Sequence, residues 1–145
     1  KLNDTIKIYH PLLPSQCANY KSLTDPSRPY YVIDSSKIFC DKRGSSASDW
    51  VGESWYRIQG GAGSKLSEKG YDLAGNGGRC GTDVGSHMIG GHPNLPGQSV
   101  TRSVHFGLKS DYHSYNHDIE VTNCNGFFVY NLIGMTGCSL RYCTQ

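Results

Sequence analysis

Apolar and polar side chains alternate along several stretches of this chain with the period of a strand. Asp118-Ile119-Glu120-Val121 puts Ile119 and Val121 on one face and Asp118 and Glu120 on the other. Gln98 to Phe106 carries Val100, Arg102 and Val104 alternating among polar residues. Trp55-Tyr56-Arg57-Ile58 reads as a strand, and Phe127 to Leu132 as a more buried one. Two earlier extended pieces, Ile6 to Tyr9 and Tyr30 to Ile33, are separated by Pro-rich and Asp-Pro turns. Arg43 to Asp49 is a soft polar stretch. Gly60 to Gly81 is broken by glycine throughout, with a loop at Gly75-Asn76-Gly77-Gly78. Helical period is nearly absent, with room for one short helix within residues 15–24, and there are no repeats or linkers. The pattern predicts an all-β or β-dominated domain with long loops.

At 145 residues the chain is expected to form a single domain, 1–145. A domain of that size buries roughly 68–70% of its unfolded surface. With 18 Gly and only 37% hydrophobic residues, much of the core falls to the 10 Tyr, 4 Phe and 2 Trp. The net charge of +2 comes from scattered basic residues, and even Asp41-Lys42-Arg43 opens on an acid, so nucleic acid is not an expected partner. No stretch approaches the ~18 apolar residues of a membrane span. Lys1 opens the chain and Leu2 to Thr5 is not apolar, which suggests a processed terminus with any signal peptide removed.

Six cysteines, at 17, 40, 80, 124, 138 and 143, form no Cys-x-x-Cys pair of the kind structural zinc favours. Disulfides in an oxidising, extracellular compartment are the expectation, and Asn3-Asp4-Thr5 is a possible glycosylation site. No nucleophile elbow, His-Glu-x-x-His, phosphate loop or dinucleotide fingerprint is present, and paired cysteines leave no thiol nucleophile. An enzyme is not expected.

Several pieces in order carry a resemblance. They are Trp55-Tyr56-Arg57, Gly61-Ala62-Gly63, Cys80-Gly81-Thr82, Gly90-Gly91-His92-Pro93, Gly97…Val100…Arg102, and a tail of Cys124…Phe128-Val129-Tyr130-Asn131-Leu132…Cys138…Arg141-Tyr142-Cys143. From about Cys17 to Cys143 the chain resembles the eight-cysteine domain of uromodulin and the pancreatic zymogen-granule glycoprotein. It is also similar to a galactose-specific sea-anemone lectin of that group. The resemblance implies the pairs Cys17–Cys124, Cys40–Cys138 and Cys80–Cys143, among 15 connectivities that six cysteines allow.

The departures from that pattern matter more. In uromodulin's version a cysteine ahead of the one matching Cys80 pairs with one near 112–115, and a further local bridge ties that region to the position of Val104 or His105. All four cysteines are absent here, and the segments that lost them run Glu68 to Asn76 and Asp111 to Asp118. The lost bridge implies that these segments are neighbours. Uromodulin's glycan acceptor before the His-Pro is missing from Ile89-Gly90-Gly91-His92, so if carbohydrate matters at this stretch, the chain is expected to read it and not to display it.

Two neighbouring polar loops suit calcium, which takes 6–8 oxygen ligands. Asp72, Asn76, Asp111, Asn116 and Asp118 are the candidate ligands. Tyr71, Tyr112, His113 and Tyr115, with Trp50 and Glu53 from a third segment beside Asp49, are the candidate sugar contacts. The competing reading is that these are ordinary solvated turns, which Asp and Asn also favour. His113 and His117 would bind zinc together only on a helix, whereas His92 reads as a satisfied structural histidine and Trp55, Tyr56 and Phe127 to Tyr130 as core. The expected function is a secreted, calcium-dependent lectin for galactose-containing glycans, acting as a homodimer. The alternative is a protein-binding adhesion module without metal or sugar.

Overall fold

Strands in one sheet organise the computed structural model, which describes residues 12–34, 36, 39–43, 49–69, 79–108, 111–137 and 140–145, with the backbone alone at 108 and 111–114. They are β1 (Lys21–Leu23), β2 (Ser54–Ile58), β3 (Ser86–Ile89), β4 (Ser99–Leu108), β5 (Asp111–Asn123) and β6 (Phe128–Leu132). The order is β1-β2-β6-β5-β4-β3; β1 and β2 are parallel and every other pairing is antiparallel. The fold is thus the β-dominated, disulfide-rich domain that the alternation predicts.

Cross-strand partners share a face of the sheet, so the register identifies the core directly. Leu23 pairs with Ile58, Tyr56 with Tyr130, Tyr130 with Val121, and Val104 with both Met88 and His117. These inward residues meet a layer of loops that contributes Trp50, Ala62, Leu66, Met135 and Tyr142. No second sheet or α-helix covers this face among the described residues, only loops and the 3-10 turn Gly60–Ala62, so irregular backbone has to be held there by other means.

Two described bridges tie the chain to the sheet, one on each face. Cys80–Cys143 ties the loop layer to the C-terminal segment, and Cys17–Cys124 pins the chain's start onto the opposite, outer face, where Thr122 and Val129 are buried. Both match the pairing implied by the resemblance. Cys40 is also disulfide-bonded, but Cys138, its expected partner, lies outside the described residues.

A buried ion cluster does the rest. Arg28, fully buried, makes a two-point contact with Asp41 at 2.9 and 2.7 Å, donates to Asp49 from Nε and Nη2, and donates through Nη1 to the Tyr142 carbonyl at 3.0 Å. Burial alone would lower the Arg28 pKa, but the two carboxylates outweigh it and raise it. Arg141, also buried, donates to Ser27 Oγ and to the Cys80 carbonyl. Gly81 is required beside it: at φ +68° its backbone is left-handed, and a Cβ would stand 2.6 Å from Arg141 Nη1.

Several expectations are corrected. The short helix within 15–24 is only a 3-10 turn at Ser15–Cys17, followed by β1. Tyr30 to Ile33 is not a strand: Pro29 and Ile33 make isolated bridges around a turn, and Tyr31 and Ile33 are 63% and 67% exposed. β3 is a strand that the pattern did not reveal. Asp111 to Asp118, expected as a loop, is the first half of β5. Ile6 to Tyr9 lies outside the described residues.

Candidate ligand site on the outer face of the sheet

From Tyr115 onward β5 keeps strict strand alternation. Tyr115, His117, Ile119 and Val121 turn inward; Asn116, Asp118 and Glu120 are exposed on the outer face. The inward set has polar atoms to satisfy. His117 Nε2 lies 2.8 Å from Tyr142 Oη, whose own proton goes to the Ile133 carbonyl at 2.7 Å, so the imidazole is the donor. Burial holds the His117 pKa below its usual value, against the opposing charge of Asp118. The ring is also stacked on Phe106 at 5.5 Å.

On the outer face, two successive rungs run across three strands. Asn116 pairs with His105, which pairs with His87; Asp118 pairs with Ser103, which pairs with Ile89. The two histidine rings are 5.8 Å apart. Asn116 and Asp118 make no side-chain hydrogen bond among the described residues and stand two positions apart on one face. Among the described residues no three His, Cys, Asp or Glu side chains converge to hold a metal. A calcium ion at this face would therefore need further oxygens from elsewhere.

The other predicted residues divide clearly. Tyr71, Asp72 and Asn76 lie outside the described residues, and the proximity of their segment to β5 is likewise outside them. Asp111, Tyr112 and His113 belong to β5, with no side chain described. Because this segment is a strand, His113 and His117 do not form the helical zinc pair. Tyr115 is corrected as a companion of the ligand set: it faces inward against Phe106 at 5.5 Å, opposite to Asn116 and Asp118. Trp50 is corrected outright. It is 0% exposed, stacked on Tyr56 at 5.2 Å, with Nε1–H donating to the Lys42 carbonyl at 3.1 Å. No face is left for a sugar. Asp49 is spent on Arg28, while Glu53, partly exposed, pairs with Arg43 at 3.3 Å.

His92 is the satisfied histidine that its motif implies. Nδ1 lies 2.9 Å from Glu68 and Nε2 lies 2.8 Å from Tyr130 Oη, which in turn accepts the Leu66 N–H. Burial lowers its pKa even though Glu68 pulls the other way.

Sequence comparison decides the family. The model of the uromodulin-like domain matches residues 56–144. The chain belongs to that family. Over 89% of its length this uromodulin-like domain is 34% identical to the pancreatic secretory granule membrane major glycoprotein of Canis lupus familiaris and 30% identical to that of Mus musculus. It is 30% identical to Mus musculus uromodulin over 63% of its length. The chain spans 23% of the first two relatives and 14% of the third. The match runs from within β2 through β6 to the C-terminal segment that Cys80–Cys143 staples down, and leaves out β1 and Trp50.

Proposed function

We propose that this uromodulin-like domain is a secreted, calcium-dependent lectin that binds terminal galactose-type sugars on the outer face of its sheet. The observation that carries the reading is the pair Asn116 and Asp118, two exposed oxygen donors on one face of β5 with no side-chain partner among the described residues. Calcium needs 6–8 oxygens; in this reading Asp111 on the same strand and Asp72 and Asn76 supply more. Water and vicinal sugar hydroxyls complete the shell, with Tyr71, Tyr112 and His113 beside the sugar ring.

Extracellular placement is supported by the disulfide scaffold, which persists in oxidising compartments. No helix among the described residues is long and apolar enough to cross a membrane. Single lectin sites bind weakly, so two sites on a homodimer would raise avidity without new contacts.

The test is retention on galactose resin in calcium, with release by EDTA or lactose. Asp118→Ala and Asp111→Ala should each lose retention while keeping the melting temperature measured without calcium. Flow-through of the unaltered protein in calcium would sink the reading. That outcome would favour the adhesion module, for which the neighbouring exposed apolar side chains Tyr31 and Ile33 offer a contact surface.

A further inference from the structure

A cleft of about 260 Å³ opens between the turn after β2 and the turn before β6. It lies by the C-terminal end of β5, where Asn123 pairs with Phe128, away from Asn116 and Asp118. Arg57, Gln59, Ser64, Phe127 and Phe128 line it, along with glycines of both turns. At Gly60 and Gly126 an added Cβ would meet nothing within 4 Å, so the mouth is unobstructed there.

Arg57 gives the cleft its chemistry. Its guanidinium carbon lies 3.9 Å from the Phe127 ring centroid, and Nη1 donates to Tyr20 Oη at 3.0 Å. Stacking and that bond fix the plane of the fork. Its remaining donors make no hydrogen bond among the described residues, and the Nε–H is buried without an acceptor. Nε and Nη2 form the side edge of the guanidinium, the edge that takes a carboxylate or sulfate by two parallel hydrogen bonds; here Nε is closed to solvent and Nη2 is the donor that a ligand meets first. Arg28, by contrast, has the same edge filled by protein oxygen, with Asp49 accepting from both Nε and Nη2.

We propose that this cleft binds an acidic sugar unit, with Arg57 holding its carboxylate or sulfate and the Phe127–Phe128 turn flanking its ring. The volume suits a single ring, below the ~300 Å³ at which pockets for drug-sized ligands begin. Backbone groups at glycine turns and the Ser64 hydroxyl suit sugar hydroxyls. This site is separate from the proposed calcium site and needs no metal.

The test is an amide and Arg Nε–H NMR titration of the whole chain in calcium-free buffer cleared with chelating resin. The probes are N-acetylneuraminic acid, glucuronic acid, galactose 6-sulfate and neutral galactose. Saturable shifts at Arg57 Nε–H, Ser64, Gly126 and Phe127 are expected with at least one acid and not with galactose; the acid arms identify carboxylate or sulfate as the preferred group. Arg57→Gln should weaken binding at least tenfold, and Arg57→Lys, which keeps charge without the fork, several-fold. If Arg57→Gln does not fold, Ser64→Trp fills the cleft from its exposed rim and should remove the shifts. The proposal is overturned by the absence of saturable shifts with every acid, by equal shifts with galactose, or by unchanged affinity in the folded Arg57→Gln or Ser64→Trp variant. Because calcium is absent throughout, these outcomes are independent of the galactose-resin result.

Discussion

Replacing Asp41 by Ala should be among the most damaging single changes to this domain. Asp41 is 1% exposed, and its two oxygens take Arg28 at 2.9 and 2.7 Å while Oδ2 also accepts the Tyr142 N–H at 2.9 Å. Truncation strands a buried guanidinium with Asp49 as its remaining carboxylate partner and leaves a buried N–H without its acceptor. Breaking a buried pair from one side costs about 3–5 kcal/mol, and the orphaned N–H adds about 1–3 kcal/mol. At roughly 3 °C per kcal/mol for a domain of this size, the melting temperature should fall by more than about 10 °C. Asp49→Asn should cost less, because Asp49 is partly exposed and the two-point Asp41 contact survives. Differential scanning calorimetry of the oxidised protein, with thiol titration to verify intact bridges, checks both. A loss under about 1 kcal/mol for Asp41→Ala would show that the cluster is an ordinary solvated set of ion pairs, and the account of how the loop layer is held would be wrong.

Removing the Cys80–Cys143 bridge as Cys80→Ser/Cys143→Ser frees a loop with a separation of 63 residues and should cost about 4 kcal/mol in the chain-entropy model, read by urea unfolding. Trp50→Ala should lose about 3–5 kcal/mol by the same assay, yet leave any galactose-resin binding unchanged in the folded fraction. The folded-state pKa values of His92 and His117 both lie below 6.5, so the folded state binds fewer protons than the unfolded chain just below that pH. Stability should therefore be full above about pH 6.5 and decline as pH falls from there toward the depressed values. Melts from pH 7.5 to 5 that show no decline would contradict that sign.

The strands that the sequence made legible are those whose inward residues are plainly apolar. Ile119 and Val121 announce the second half of β5, and Tyr56 and Ile58 announce β2. The first half of β5 was hidden because its inward positions are Tyr115 and His117, whose polar atoms imitate a turn until Tyr142, 25 residues further on, supplies His117 with its partner. β3 was hidden similarly: Ser86 is inward, and its hydroxyl accepts the Cys143 N–H. Asp49 and Trp50 read as surface chemistry in a polar stretch because nothing local shows that Arg28 will be buried beside one and Tyr56 stacked on the other. On the outer face, Asn116 and Asp118 were legible as oxygen donors, whereas the Arg57–Phe127 stack was not: an arginine in a strand becomes a candidate ligand group only when its unpartnered edge is seen.

The register also explains why this chain can do without one of the family's bridges. In uromodulin's version of the pattern a local bridge joins the region of 112–115 to the position of Val104 or His105. In this fold those positions are close on the β4–β5 ladder, where His105 pairs with Asn116 and Phe106 with Tyr115. A disulfide there closes a loop of roughly ten residues and is worth about 2.7 kcal/mol in the chain-entropy model. By the same model Cys17–Cys124, with a separation of 107, is worth about 4.8 kcal/mol. The retained long bridge does what no hairpin can do, whereas the missing short one duplicated a constraint that the ladder already imposes from Ser99–Thr122 to Phe106–Tyr115. Asn116 and Asp118 on the outer face of this hairpin are thus held by backbone pairing, not by their own side chains. Asp118→Ala consequently removes an exposed carboxylate without disturbing the register, and a loss of sugar retention in that variant would report on the ligand and not on the fold.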